Sequence, residues 1–476
     1  MLDSLALADR AVVWLSRHWD EDAAMLWNPP GSFDRILEPH SAHLVPPTVW
    51  YAVALAVRGD SQRAGRAIRA VIDCQLDEPG APWHGTFARF KEFPAPRPGA
   101  LEFLGYDPNW RQFVGVGLAL AELVAPGAFD EATRRTMLEA IALAVDGEPA
   151  GRVTPTYTNI ALLKAWLDVY AGCHLDRPDL VAQGEDLAAA VSERFDTHGA
   201  FDEWNSPTYY GIDLLALALW RRHSESGVLR TAGARMEAAL WTEIAASYHA
   251  RLRNVAGPYT RAYGMDMTRY VAGVGVWIQH VLGDGPGPLP DLDHPFGHSH
   301  DLSLAPIAAI VGTEVPGAVP AALRAFEGPR ASERVVAADR IATRWMNEGL
   351  MIGAERGDRP WSGWAQYHPA TVHWAEPSGR TRWIRLVHAG PVGARAGVAE
   401  LHAVCRPHPR RGRPDPTFLV SAPGAFRAER WELPGLTVAV RTDAPFVGAT
   451  RSGDLDEVRY RMPPSGDATF ELSFAP

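Results

Sequence analysis

The sequence has few cysteines, no long apolar run and no excess of positive charge, and each shortage excludes a class of protein. Its 476 residues include three cysteines, Cys74, Cys173 and Cys405, which lie far apart and match no zinc-binding spacing. This small, odd count predicts no disulfide framework and suits a reducing compartment. No apolar stretch is long enough to span a bilayer. The net charge of −10 argues against a broad nucleic-acid-binding surface. We therefore expect neither nucleic acid nor a membrane as a partner.

The amino terminus also lacks the features of a secretory signal. The stretch MLDSLALADRAVVWLSRHWDED has no basic start and no long apolar centre, and it is typical of an amphipathic helix. We therefore expect a cytoplasmic protein. With 47% hydrophobic and 21% charged residues, the chain has the composition of a globular protein, and its length allows two or three domains.

Up to about residue 330, apolar residues recur at helical spacing, as in LALADRAVVWL, TNIALLKAWLDVYAG and GIDLLALALWRRH. Segments that are apolar almost all round alternate with segments that are polar on one side, which indicates alternating inner and outer helices. This pattern predicts an (α/α) toroid of helical hairpins over residues 1–335. An open helical solenoid is the alternative.

Beyond Arg340 the pattern changes to alternating and β-branched runs bounded by Gly, Pro, Asp and Ser, such as TRWIRLVHAG and ATFELSFAP. These runs predict an antiparallel β-sandwich over residues 336–476. The predicted fold class is therefore α+β and multidomain, with an amino-terminal (α/α) toroid followed by a carboxy-terminal antiparallel β-sandwich.

The stretch DEWNSPTYYGID, residues 202–213, gathers acidic groups, an amide, a hydroxyl and two phenols directly before an apolar helix. Ser206 and Pro207 are explained as a helix start. That explanation does not require the carboxylates or the phenols, which are common acid and base groups beside a cavity. A similar cluster, GPYTRAYGMDMTRY at residues 257–270, precedes the next apolar helix, with an N-cap formed by Asp266 as the simpler explanation.

A third cluster, WSGWAQYHPATVHWAEP, lies in the predicted sandwich. It contains Trp361, Trp364, His368 and His373, more aromatic and imidazole groups than a surface strand needs. Imidazole titrates near neutral pH, and we favour His368 over His373 because it precedes a proline in a predicted turn.

The segment GAFDEWNSPTYYGIDLLAL resembles the Gly-x-x-x-Glu-x-x-Ser-Pro-x-Tyr segment of the heparinase II/III-like and alginate-lyase-like polysaccharide lyases. The fold that the resemblance implies is a helical toroid followed by an antiparallel sandwich. In that family an Asn neutralises the substrate carboxylate and a Tyr about fifty residues later transfers protons. Asn159 and Tyr209 occupy the corresponding positions, whereas residue 160 is Ile where the family has His. The family also places a His from the sheet over the cleft.

These observations predict a lyase that cleaves a uronate-containing oligosaccharide or polysaccharide by β-elimination, without a cofactor or metal. The predicted catalytic residues are Asn159, Tyr209, Tyr210, Arg261 and His368. The predicted substrate-binding residues are Glu38, His40, His84, Trp110, Asp202, Glu203, Asn205, Tyr263, Asp266 and His373, several of which have helix capping as an alternative role. A tyrosine base needs a nearby cation, and Arg261 is the candidate.

Two other functions remain open at this stage. A glycoside hydrolase would pair Asp202 or Glu203 with Asp266 as its two carboxylates. A toroid that only binds a saccharide or an apolar ligand would have a cavity with few polar groups. Histidines in EPHSAHL and HPFGHSHD have the residue type of metal ligands, but their spacing matches no known zinc class.

Overall fold

The chain folds into two compact units in a computed structural model that describes residues 2–27, 42–357 and 366–475, with side chains from residue 7 onward. The helical unit comprises Met1–Asp196, Tyr209–Leu240 and Arg269–Val315. The sheet unit comprises Thr197–Thr208, Trp241–Thr268 and Pro316–Pro476. The predicted division into residues 1–335 and 336–476 stays a prediction.

The described residues form twelve α-helices. Their bounds are α1 Leu2–Ser16, α2 Val45–Val57, α3 Ser61–Ile72, α4 Trp110–Val124, α5 Glu131–Asp146, α6 Thr158–His174, α7 Pro178–His198, α8 Tyr210–His223, α9 Gly227–Ser247, α10 Gly273–Leu282, α11 Leu304–Val311 and α12 Val319–Arg324. Short 3₁₀ helices occupy Pro126–Ala128 and Ser299–Ser303.

Six of these helices form a closed ring in the helical unit. Helices α2, α4, α6, α8 and α10 pack each against the next, α10 packs against α11, and α11 packs back against α2. Helices α2 and α8 are buried almost all round. The outer helix α3 has one apolar face, and Asp60 accepts a hydrogen bond from the Arg63 amide at its start. The predicted helical ring is confirmed, because an open solenoid would leave α11 and α2 apart.

The inner helices begin at the same end of the ring. The Asn109 amide, at the start of α4, donates a 2.7 Å hydrogen bond to the Tyr157 hydroxyl, at the start of α6. Gly211 lies against Gly273 at the starts of α8 and α10, and a Cβ on Gly211 would fall 2.2 Å from the Gly273 carbonyl carbon. Each outer helix follows an inner helix along the chain and returns the chain to the end where the next inner helix begins. The first residues of α4, α6, α8 and α10 therefore lie at one end of the ring.

The described strands form two large antiparallel sheets in the sheet unit. The strands are β6 Arg330–Ala337, β7 Arg340–Met346, β8 Leu350–Arg356, β9 Ala370–Ala375, β10 Thr381–Val387, β11 Val392–Gly397, β12 Glu400–Cys405, β13 Thr417–Val420, β14 Ala425–Phe426, β15 Arg430–Leu433, β16 Leu436–Thr442, β17 Phe446–Ser452, β18 Leu455–Tyr460 and β19 Ala468–Ala475. The eight-stranded sheet has the order β17-β18-β13-β10-β9-β8-β7-β6 and the six-stranded sheet has the order β11-β12-β19-β16-β15-β14.

One apolar core lies between these two sheets. Phe418, Trp431 and Phe470 meet in its centre, with ring centroids of Phe418 lying 5.3 Å from Trp431 and 5.2 Å from Phe470. Alternate residues of β19 are buried, which is the pattern of a strand with one face toward a core. The predicted antiparallel sandwich after a helical region is confirmed.

Smaller strands complete the two units: β1 Trp19–Asp20, β2 Met25–Trp27 and β3 His43–Leu44 in the helical unit, and β4 Tyr248–His249 and β5 Asn254–Val255 in the sheet unit. Over the described residues, every helix is too short or too polar to cross a lipid bilayer.

Candidate functional site

Two loops of the sheet unit, residues 199–208 and residues 256–268, carry six of the fifteen predicted site residues, and buried polar groups join them. Asn205 has a left-handed backbone, with φ of 52°, and its side-chain amide donates to the carbonyl oxygens of Ala256 at 2.8 Å and Pro258 at 2.6 Å. The Ser206 hydroxyl donates to the carbonyl oxygen of Arg261 at 2.7 Å. Asn is among the residues that tolerate this backbone region best. Asn205 and Ser206 therefore hold the second loop in place. The helix start predicted at Ser206 and Pro207 is wrong, because α8 begins at Tyr210 with Tyr209 as its N-cap residue.

The second loop lies against the eight-stranded sheet. Tyr259 and His368 exchange backbone hydrogen bonds of 3.0 and 2.9 Å, as neighbouring antiparallel strands do. Gly353 on β8 allows the close approach, because a Cβ there would lie 2.0 Å from the carbonyl carbon of Gly257. The backbone that carries residues 257–262 is thus fixed on the sheet surface.

Arg261, the cation predicted to support a tyrosine base, has two side-chain partners. Its Nε donates to the Gln366 side-chain oxygen at 2.9 Å, and its Nη1 donates to Oε1 of Glu203 at 2.6 Å. Glu203 is buried, whereas the Arg261 side chain is 25% exposed. Tyr263, two residues later, is exposed. Two polar partners therefore orient a guanidinium that solvent can still reach.

A second, fully buried ion pair supports the same loops. Arg340 donates to Glu355 through Nε at 3.0 Å and Nη2 at 2.7 Å, in the two-pronged geometry typical of strong arginine–carboxylate pairs. Arg340 also donates to the carbonyl oxygen of Asp202 and to the Thr260 hydroxyl, both at 3.1 Å. Tyr367 donates to Oε1 of Glu355 at 2.7 Å. This network joins both loops to strands β7 and β8.

His368 is buried, and its imidazole faces the loop. Its Nε2 lies 3.2 Å from the carbonyl oxygen of Ala262 and 3.4 Å from Nη1 of Arg385. Burial, followed by the positive charge of Arg385, lowers the pKa of His368 well below its usual value. Burial also lowers the pKa of Arg385 to about 10. Both side chains line a mostly apolar pocket of about 240 Å³. His368 is therefore neutral near pH 7 and contacts the loop that carries Arg261.

His373 and Asp266 also hold loop backbone. Nε2 of His373 lies 2.7 Å from the carbonyl oxygen of Met265, and burial lowers the His373 pKa to about 4. Oδ1 of Asp266 accepts hydrogen bonds from the Thr268 amide, the Thr268 hydroxyl and the Asn254 side chain. The alternative in which Asp266 caps the next helix is wrong, because α10 begins at Gly273. Both residues are buried.

The helical unit contains the other predicted catalytic residues. Asn159 is the second residue of α6 and is fully buried. Tyr209 precedes α8 and Tyr210 is its first residue. Tyr210 is buried and Tyr209 is partly exposed. All three lie at the end of the ring where the inner helices begin.

A polar network at this end of the ring includes Arg152, Glu148 and Tyr157, which the sequence did not indicate. Arg152 donates to the Asn109 side-chain oxygen at 3.0 Å and pairs with Glu148 at 2.5 Å. The Asn109 amide in turn donates to Tyr157. Trp110 is the first residue of α4, and His84 supplies a carbonyl oxygen to the fully buried Arg111 at 2.7 and 2.9 Å. The His84 side chain is 21% exposed, and its Nδ1 lies 3.4 Å from Oδ1 of Asp77. Glu38, His40, Trp361 and Trp364 lie outside the described residues.

The histidines of HPFGHSHD occupy two different environments. His294 is exposed and pairs with Asp291 at 3.0 Å. His298 and His300 lie together with Asp301, and one possible ligand atom from each falls within 4.8 Å of the others. Burial, the nearby His298 and then Arg89 lower the pKa of His300 well below its usual value.

Comparison with solved structures gives only distant likenesses. The chondroitin AC lyase of Streptomyces coelicolor A3, in complex with chondroitin sulphate, is 12% identical with a TM-score of 0.48, over 99% of this chain and 79% of that one. The endoglucanase CelQ of Clostridium thermocellum, in complex with cellotetraose, is 8% identical with a TM-score of 0.29, over 100% of this chain and 92% of that one. Likeness at this level establishes no reaction for this chain.

Sequence comparison is more informative for the helical region. No curated protein matches the chain. The model of the family described as "Domain of unknown function (DUF8769)" matches residues 5–313, which is more than half of the sequence. The chain therefore belongs to the DUF8769 family.

Proposed function

We propose that the protein is a carbohydrate-active lyase that cleaves a uronate-containing oligosaccharide or polysaccharide by β-elimination. The observation that carries the proposal is the guanidinium of Arg261, which is oriented by Glu203 and Gln366 and is still partly exposed. The planar guanidinium matches a carboxylate with two parallel hydrogen bonds. A uronate carboxylate is the anion that such a reaction must neutralise.

The chemistry assigns a distinct task to each residue type. Removing the proton beside a carboxylate requires that the carboxylate charge be damped, that a base accept the proton and that an acid protonate the departing oxygen. Arg261 damps the charge. The resemblance assigns a further donor to Asn159, which is fully buried. The assignment of Asn159 and Arg261 to the same carboxylate stays a prediction.

The phenols are the proposed proton-transfer groups. Tyr209 is partly exposed at the start of α8, whereas Tyr210 is buried as its first residue. A proton-transfer group has to reach the substrate. We therefore assign proton transfer to Tyr209, with Tyr210 packed behind it.

In this proposal, His368 supports the loop that carries Arg261. Its imidazole is buried and neutral, and it lies against the carbonyl oxygen of Ala262, next to Arg261. A buried, neutral imidazole that contacts the backbone beside Arg261 can position that arginine. In this proposal His368 is therefore a positioning residue, whereas the sequence-based prediction gave it a catalytic role.

The hydrolase alternative finds less support. Its two carboxylates would be Glu203 or Asp202 with Asp266. Glu203 is buried against Arg261, and Asp266 is buried and accepts three hydrogen bonds on one oxygen. A catalytic acid and base have to face the substrate, whereas these groups hold loop backbone and an arginine. We therefore favour elimination over hydrolysis.

The test is a screen of uronate-containing polysaccharides and oligosaccharides with two readouts. Elimination creates a conjugated double bond that absorbs in the ultraviolet, and hydrolysis creates reducing ends without it. We expect ultraviolet absorbance and reducing ends to rise together. Reducing ends alone would replace the proposal with hydrolysis. No signal in either channel, with saccharide binding detected by calorimetry, would favour a binding protein.

Variants then test the assignment. Exchanging Tyr209 for Phe removes the proposed proton-transfer group, so kcat/KM should fall by a factor of about 10² or more. Tyr170→Phe is the matched control, because Tyr170 lies in the last turns of α6, at the opposite end of the ring, and its hydroxyl donates to Glu122. The control should keep its activity. Equal activity of the two variants would contradict the role of Tyr209.

A further inference from the structure

His298, His300 and Asp301 form a compact cluster just before α11 in the helical unit. Nε2 of His300 lies 3.5 Å from Oδ1 of Asp301, and Nδ1 of His298 lies 3.9 Å from Oδ2 of the same carboxylate. The two imidazole centroids are 5.3 Å apart. One nitrogen from each histidine and one carboxylate oxygen lie within 4.8 Å of one another.

The backbone holds the cluster in this arrangement. Gly297 pairs with the strand-like segment before α10, since its amide donates to the carbonyl oxygen of Arg269 at 3.0 Å and its carbonyl oxygen accepts from Val271 at 2.9 Å. His298 then adopts a left-handed conformation, with φ of 51°. The Asp301 amide closes the following 3₁₀ turn on the carbonyl oxygen of His298 at 3.1 Å. Such a conformation in a non-glycine residue costs about 1–3 kcal/mol and persists only where its surroundings impose it.

The distances are close to those of a metal site. Zinc binds histidine nitrogen and carboxylate oxygen at about 2.0–2.2 Å in tetrahedral geometry, so its ligand atoms lie about 3.3–3.6 Å from one another. The His300–Asp301 distance is already 3.5 Å and the His298–Asp301 distance is 3.9 Å. One candidate ligand atom from each residue lies within 4.8 Å of the others, so the three atoms must move together by up to about 1.5 Å to reach zinc geometry.

Burial and charge fit a site that is closed on one side. The side chains of His298 and His300 are largely buried, and that of Asp301 is one-quarter exposed. Two imidazoles with one carboxylate suit zinc and related first-row ions better than magnesium or calcium, which prefer oxygen ligands. Catalytic zinc sites typically have three protein ligands and a water or substrate oxygen in the fourth position. The positive charge of Arg89 lies near His300 and opposes a dication, so a moderate affinity is expected.

We propose that His298, His300 and Asp301 bind one divalent first-row transition metal ion, with zinc as the best fit. This proposal does not depend on the lyase assignment, because it concerns binding alone. It departs from the sequence-based prediction of no metal, which rested on the absence of a known spacing. The cluster instead combines an alternate pair of histidines with an adjacent aspartate in a single 3₁₀ turn.

The first experiment titrates chelator-stripped, full-length protein with Zn²⁺ against a chromophoric competitor. Wild type should bind one equivalent of zinc. Exchanging His300 for Ala should weaken that binding by more than about 10-fold, since even outer partners of metal ligands typically contribute 10–100-fold. His294→Ala is the matched control, because this exposed histidine lies in the same loop and pairs only with Asp291 among the contacts described. Control and wild type should bind zinc equally.

Cobalt binding gives a second, spectroscopic readout of the site. Co²⁺ added to wild type should produce visible absorption bands of a low-coordinate nitrogen and oxygen site, and Zn²⁺ should abolish them. Asp301→Asn, which preserves side-chain shape, should shift or remove these bands even if the His300 variant folds poorly. Absence of stoichiometric zinc binding, or equal zinc affinity in wild type and a folded His300→Ala variant, would overturn the proposal.

Discussion

Exchanging Glu355 for Gln should destabilise the sheet unit far more than the same exchange at an exposed ion pair. Glu355 is almost fully buried. It accepts hydrogen bonds from Nε and Nη2 of Arg340 and from the Tyr367 hydroxyl. Glu333 forms a comparable pair with Arg395, but both side chains are more than half exposed. Glu333→Gln is therefore a control with the same chemical change and a different environment.

The distances and the burial set the expected magnitudes. The Arg340–Glu355 contact of 2.7 Å corresponds to about 6 kcal/mol of attraction at an effective dielectric constant of about 20. Most of this attraction offsets the cost of desolvating the two charges. Removing one partner of such a pair typically costs about 3–5 kcal/mol, and we expect the lower end because Gln still accepts a hydrogen bond. The exposed pair is 3.8 Å apart, and its loss should cost about 0–1 kcal/mol.

Urea unfolding of the two variants gives the comparison directly, with hydrogen exchange as a local measure. Peptides that cover residues 256–268 should exchange faster in Glu355→Gln, because Arg340 holds Thr260 and the Asp202 carbonyl oxygen. Their exchange should be unchanged in Glu333→Gln. Similar losses of stability in both variants, or unchanged exchange in the buried variant, would refute the role of this network.

Three further predictions follow from the structure. Burial lowers the pKa of His373 to about 4, so its contribution to stability falls as the pH drops from about 6.5 toward 4. In His373→Gln the free energy of unfolding should fall less over this range, by up to about 1.4 kcal/mol per pH unit. Asp168 should change stability with pH in the opposite direction, because burial raises its pKa to about 6. Its contribution to stability is present below about pH 4 and is lost as the pH rises through 6. The free energy of unfolding of Asp168→Asn should therefore vary less with pH across that window. Gly353→Ala should cost about 1–3 kcal/mol in urea unfolding, because its Cβ would meet Gly257. Gly349→Ala, with open space around its Cβ, should cost much less, and equal costs for the two glycines would contradict the close packing.

The sequence predicted the fold class because its signals are local. The run LLALALW is apolar on every side, and α8 is indeed an inner helix of the ring. The alternation in ATFELSFAP appears as alternate burial along β19. Ring closure depends on packing between α11 and α2, which are more than 200 residues apart along the chain. A pattern confined to one helix indicates a buried face but carries no information about which distant helix covers it.

The candidate site was predictable only in its local part. The clusters at residues 202–213 and 257–270 stood out because unusual residue types lie close together in sequence. Gln366, Glu355 and Arg340 gave no such signal, since their partners lie far away along the chain: Arg261 and Gln366 are separated by 105 positions. His368 stood out for its residue type, but its burial against Ala262 depends on how the second loop lies on the sheet.

The arginines of the sheet unit differ in how readily they can bind an anionic ligand. Arg340 and Arg344 are almost fully buried, and each pairs with a buried glutamate, Glu355 and Glu243. Replacing such a partner with a substrate carboxylate would require moving two desolvated charges, which costs several kcal/mol per ion. The Arg261 side chain is 25% exposed, whereas its partner Glu203 is buried. We therefore propose that an incoming carboxylate can bind Arg261 while Glu203 stays in place, and that the two buried arginines support the loops.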